Sequence, residues 1–132
     1  MIGGRHGLLL AAGVLAAGGV HAAPMTALQT DVVPSAAPQE VQVLGRDFAP
    51  GEGSGWHIHH GVEMTYVLKG EMTLHVAGQP ERVVRTGDSF KIPRETAHEA
   101  TNTGATEAGL IVTYLIDKGG PAKVPVPAPP KP

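Results

Sequence analysis

Turn-forming residues break the middle of this chain into runs too short for anything but β-strands. Pro50-Gly51-Glu52-Gly53-Ser54-Gly55 is the longest break, and Lys69-Gly70, Ala77-Gly78-Gln79-Pro80, Thr86-Gly87-Asp88 and Pro93 follow it. Glycine enters the positive φ of tight turns without a steric penalty, and proline has no amide hydrogen to give to a ladder. Between the breaks, apolar and polar residues alternate. Val41, Val43 and Leu44 lead to Phe48, and the runs 56–60, 62–68, 72–76, 82–85, 89–92 and 97–102 come after. The last run, 110–116, is the most apolar. Alternation over short runs bounded by turns predicts seven or eight short strands in a sandwich or barrel. No apolar period of 3.6 residues persists beyond two turns. The expected class is all-β.

The ends read differently. Residues 1–22 have the form of a secretory signal: Arg5 is the early cation, 7–20 is an uncharged stretch rich in Leu, Ala, Val and Gly, and Val20-His21-Ala22 suits a signal peptidase. Cleavage is expected after Ala22, since a cut after Ala23 would leave Pro24 just past the scissile bond. The apolar run is shorter than the ~20 residues a membrane span requires. The mature protein is therefore expected in the periplasm or secreted, without stable membrane association. Residues 23–39 carry Pro24, Pro34 and Pro38 and read as a flexible arm, and 40–120 as the folded domain. Residues 121–132, PAKVPVPAPPKP, read as an exposed, disordered polyproline II tail. So small a core buries a modest share of its surface, which makes a homodimer a reasonable expectation.

Composition removes several function classes. Ten basic and twelve acidic residues give a net charge of −2, which does not suit nucleic-acid binding. The absence of cysteine excludes disulfide frameworks, thiolate zinc sites and cysteine nucleophiles. Gly51–Gly55 precedes a strand and not a helix, so it is no phosphate-binding loop.

Five of the seven histidines lie beyond the signal segment. His57 and His59 are two apart on a strand-like run, so both side chains leave the same face. Glu63 follows four residues later, and His98 opens another strand. Singly, each has a plain structural explanation. Together, three imidazoles and a carboxylate can form a compact N₃O site for a divalent first-row metal, with positions left open for water or substrate. His60 is expected on the opposite face, toward solvent. His75, Tyr66 and Tyr114 are weaker pocket candidates, and Trp56 and Phe90 read first as barrel core or rim.

The spacing is more specific than its parts. Gly51, five residues, His57-x-His59, three residues, Glu63, six residues and Gly70 resemble the first motif of the cupin superfamily. Gly87, five residues, Pro93, His98 and Asn102 resemble the second. One position departs: Glu95 stands where the family usually has glycine, which implies strain of about 1 kcal/mol or more if the turn needs positive φ. The resemblance implies a small antiparallel jelly-roll-like β-barrel, its two motifs on facing strand pairs. It implies Fe, Mn, Ni, Zn, Co or Cu held by His57, His59, Glu63 and His98, with Asn102 a turn or hydrogen-bonding residue. With M²⁺ such a site carries a net +1 charge and attracts anionic or enolate-forming small molecules. Among enzymatic readings, a quercetinase-like metal-dependent dioxygenase of a small enol-type or aromatic substrate ranks first, with Glu63 as catalytic base. The alternatives are a periplasmic metal- or small-ligand-binding module without turnover, and a non-redox isomerase or lyase.

Overall fold

The computed structural model describes Leu28, residues 30–32 and residues 34–130. The signal segment 1–22 lies outside the described residues. Nine strands and no helix are present among those described: β1 (Gln39–Phe48), β2 (His57–Ile58), β3 (Gly61–Lys69), β4 (Glu71–Val76), β5 (Arg82–Arg85), β6 (Ser89–Ile92), β7 (His98–Thr101), β8 (Ala108–Asp117) and β9 (Val124–Pro125). They form two antiparallel sheets, one ordered β1-β8-β3-β6 and the other β5-β4-β7-β2-β9. The first eight strands coincide with the runs expected from alternation.

Inward-facing residues of the two sheets meet in one core. Val67 from β3, Met72 and Leu74 from β4, Val84 from β5, Phe90 and Ile92 from β6, and Leu110 and Val112 from β8 are all buried in it. The outward positions of the first sheet leave Val41, Val43, Tyr66 and Leu68 exposed. Tyr66, a pocket candidate in the sequence, therefore faces away from the interior.

Two glycines allow the chain to pass between sheets. At Gly61, where β3 begins beside Ile116, an added Cβ would lie 2.0 Å from the carbonyl oxygen of Leu115. Gly70 turns β3 into β4 at φ 73°, with an added Cβ 2.7 Å from the Glu107 carbonyl. The glycine-rich loop before β2 is held along β7: Gly51 N–H donates to Asn102 O (2.8 Å), Asn102 N–H to Glu52 O (2.8 Å), and Ser54 N–H to Ala100 O (2.8 Å).

Three expectations need correction. The two motifs do not face one another across the barrel; they run side by side through both sheets. His57 in β2 is the direct cross-strand partner of His98 in β7, while Glu63 in β3 pairs with Ile92 in β6. The Pro-rich segment 121–130 is not a free tail. Val124 and Pro125 pair with Ile58 and His57, and Val126 N–H donates to Trp56 O (3.1 Å). Proline tolerates this place because β9 is an edge strand, where one row of amides goes unused. The arm is partly anchored too: Ser35 Oγ donates to Asp117 Oδ1 (2.8 Å), and Lys118 N–H to Pro38 O (2.8 Å).

Candidate metal centre

His57, His59, Glu63 and His98 come together between the sheets, all four buried. One ligand atom from each lies within 4.8 Å of every other. The imidazole centroids are 4.8 Å apart for His57–His59, 4.2 Å for His57–His98 and 5.0 Å for His59–His98. β2 and β7 supply the histidines from one sheet and the short link after β2, and β3 delivers the carboxylate from the other.

Main-chain carbonyls orient all three rings. His57 Nδ1–H donates to Gly55 O (2.7 Å), His98 Nδ1–H to Thr96 O (2.9 Å), and His59 Nδ1–H to Ala122 O. A carbonyl only accepts, so the hydrogen belongs on Nδ1 and each Nε2 turns toward the centre. His59 Nε2 lies 2.8 Å and His98 Nε2 3.2 Å from Glu63 Oε2. Thr65 Oγ1 donates to Glu63 Oε1 (2.6 Å) and fixes the carboxylate plane. Three inward nitrogens and one carboxylate oxygen around a buried point demand positive charge between them. A divalent metal bound there would supply that charge. The donor set therefore fits a first-row metal with three nitrogen ligands and one oxygen ligand.

Electrostatics agree with that fit. Burial pushes His57 down to about 4, against the Gly55 hydrogen bond, and the neighbouring His98, His59 and Lys123 push the same way. The ring is neutral, as a ligand must be. Burial alone would raise Glu63, but the close His59 and His98 rings and the hydrogen bond from Thr65 outweigh it and hold the carboxyl well below the usual carboxylate range. Tyr114 is raised above the ordinary phenol value by burial and by Glu63, so its hydroxyl keeps its proton. Its ring lies 4.6 Å from that of His59.

A cavity of about 200 Å³ opens from the centre. Leu44, Phe48, Phe90, Leu110 and Val112 form most of its apolar wall, Tyr114 lies beside the histidines, and Arg46, Ser54 and Lys123 are among the polar residues of the lining.

The remaining candidates fall where their surroundings dictate. His60 points away and pairs with Glu95 Oε1 (2.6 Å). Asn102 is fully buried, donating to Phe48 O (2.9 Å) and Thr106 O (2.8 Å) and accepting from Gly104 N–H (3.0 Å), a loop clasp and not a ligand. His75 and Trp56 line a separate cavity with residues 128–130. Sequence reasoning missed Thr65, Arg46, the Ala122 carbonyl and Lys123. Thr65 alone had a local signal, being two residues beyond Glu63 and so on the same strand face.

Known proteins resemble this chain in sequence and fold. The oxalate oxidase GF-2.8 of Triticum aestivum is 38% identical over 88 residues, covering 61% of this chain and 39% of that protein. The chain thus spans about two fifths of that curated relative. A solved oxalate oxidase superposes with a TM-score of 0.59 at 36% identity, over 65% of this chain and 46% of that one. A Thermotoga maritima structure described as a predicted oxalate decarboxylase superposes with a TM-score of 0.53 at 27% identity, over 56% and 64%. The cupin domain family matches residues 46–114, more than half of the chain and the stretch that carries His57, His59, Glu63 and His98. By its paired sheets, its two motifs and that match, this chain belongs to the cupin family.

Proposed function

We propose that this protein holds one divalent first-row metal at His57, His59, Glu63 and His98 and oxidises a small carboxylate, with oxalate the first substrate to test. The observation that carries the reading is the convergence of three carbonyl-oriented imidazoles and one Thr65-oriented carboxylate on a single buried point. A bound metal would supply a Lewis-acidic, redox-capable anchor for carboxylate oxygens.

The protein's own residues do the rest. The apolar wall excludes water and strengthens every charge interaction inside the cavity. Glu63, held ionised by Thr65 and the histidines, would give the metal its one oxygen ligand beside the binding volume. Oxalate loses two electrons to become two CO₂, and O₂ takes those electrons with two protons to give H₂O₂. The cavity of about 200 Å³ lies below the ~300–1,000 Å³ of pockets for drug-sized ligands. Its size favours a small acid over the flavonol-like ring of a quercetinase substrate. The relatives described as oxalate oxidases support the same choice.

Purified protein should contain about one divalent metal per chain and consume O₂ with release of H₂O₂ when given oxalate. Retained metal without O₂ uptake on oxalate or other small acids would overturn the oxidase reading and leave a metal-binding module. Export belongs to this proposal on the strength of residues 1–22 alone. N-terminal sequencing of exported protein should begin at Ala23.

A further inference from the structure

The segment with the least expected order, 121–126, runs over the cavity mouth as a strap. β9 pairs it to β2, Val126 N–H holds it to Trp56, and the Ala122 carbonyl accepts from His59 Nδ1. Lys123 Nζ donates to the Ser54 carbonyl across the opening. The strap thereby fixes one side chain, Lys123, in the lining of the cavity that Arg46 from β1 also lines.

These two cations are not an ordinary surface pair. Arg46 packs its guanidinium 4.3 Å from the Phe48 ring centroid, and its nearest carboxylate, Glu52, stands 3.6 Å away on the rim. Glu52 is itself engaged by the Ala49 amide (3.0 Å). Lys123 has only a neutral carbonyl as its partner among the described residues, so two of its three donors stay free. Burial, and then repulsion from Arg46, lower the Lys123 ammonium from its ordinary value. Two like charges are therefore held at one cavity mouth, and the carboxylate near them, Glu52, is not part of the lining. The walls beneath are mostly apolar, so a second anionic group on a ligand would find cationic partners only there.

We propose that Lys123, carried on the C-terminal strap, and Arg46 form the receptor for the distal carboxylate of a small dicarboxylate whose near end lies at the His57/His59/Glu63/His98 centre. This deepens the small-carboxylate reading and rests on it. Lys123 is a specificity-determining residue: it separates diacids from monoacids through charge-assisted hydrogen bonds that only the former make.

Calorimetric titration of the mature protein, carrying the metal it retains on purification, tests this with oxalate, malonate and acetate as probes. Lys123→Gln should weaken the dicarboxylates by roughly tenfold and acetate by less than about twofold. Lys123→Arg should restore most of the dicarboxylate affinity, and metal content should be equal in all three proteins. The proposal is overturned if wild type binds no dicarboxylate, if Lys123→Gln weakens acetate and dicarboxylates alike, or if it leaves dicarboxylate affinity unchanged. A fall in metal content with Lys123→Gln also overturns it, because the lysine would then serve only to hold the strap on His59. O₂ uptake measured in parallel keeps the two readings apart. Selective weakening of diacids without oxalate oxidation sinks the oxidase and leaves the receptor. Oxalate oxidation with no change in selectivity does the reverse.

Discussion

At Glu95 the backbone has φ 58°, the one positive φ outside glycine among the described residues. The side chain partly compensates: Glu95 accepts from His60 Nδ1, and its own N–H donates to His59 O (3.0 Å), tying the second motif's turn to the ligand-bearing segment. Exposed pairs of this kind contribute about 1 kcal/mol at most, comparable to the strain. Asparagine tolerates the left-handed region, whereas a β-branched residue does not. Glu95→Asn should therefore leave the melting temperature unchanged or slightly higher, and Glu95→Val should lower stability by about 1–2 kcal/mol; thermal unfolding followed by circular dichroism separates the two. The same residues set a contrast for metal content. Removing an inward Nε2 in His57→Ala, His59→Ala or His98→Ala should abolish most bound metal, while His60→Ala, on the outer face, should retain it. Equal loss from His60→Ala in elemental analysis would show that the wrong face has been assigned.

Elements β1 to β8 were legible because each is an alternating run closed by a residue with a defined backbone role. Gly70 and Gly87, both at positive φ, stand at turns that the spacing alone marks. The ligand residues were legible for the same reason, since period-two geometry puts His57 and His59 on one face. β9 was not legible. Its prolines read as a chain without donors, and only the neighbouring β2 edge, distant in sequence, makes use of the donor that remains at Val126. Lys123 and the Ala122 carbonyl stayed hidden with it, because their part in the centre depends on where the strap lands. Gly61, by contrast, carries no motif signal yet governs the crossing from β2 to β3. With 2.0 Å to a backbone oxygen that cannot move aside, Gly61→Ala should cost about 3 kcal/mol or more, read by denaturant unfolding. The same change should loosen metal binding, since Glu63 follows two residues later.

For the molecule as a whole, the buried centre links stability to metal and to pH. A metal bound only by the folded state adds RT ln(1 + [L]/Kd), about 4 kcal/mol at a thousandfold excess over Kd. Stripping it with a chelator should lower the melting temperature by about 10 °C or more in a domain of this size. Acid should act on the stripped protein through His57. Below about pH 6.5 the unfolded chain takes up a proton on this ring that the folded chain refuses until about pH 4. The contribution is thus complete above pH 6.5 and lost as the pH falls toward 4. Glu63, also depressed in the fold, acts in the same direction at lower pH. Emission from Trp56, the one tryptophan, should follow both transitions, since its carbonyl anchors the strap.

The strap's composition has a further consequence, in how molecules of this protein meet one another. β9 is the last strand of its sheet, and Val126 turns its amide inward to β2. The alternate positions, Pro125 and Pro127, are those whose amides would point outward, and neither has one. The sheet therefore ends in a row that a passing strand cannot extend. Open edges are the usual templates for fibrils. Replacing Pro125 and Pro127 by threonine should shorten the lag before thioflavin-positive aggregates form, while the strap stays in place.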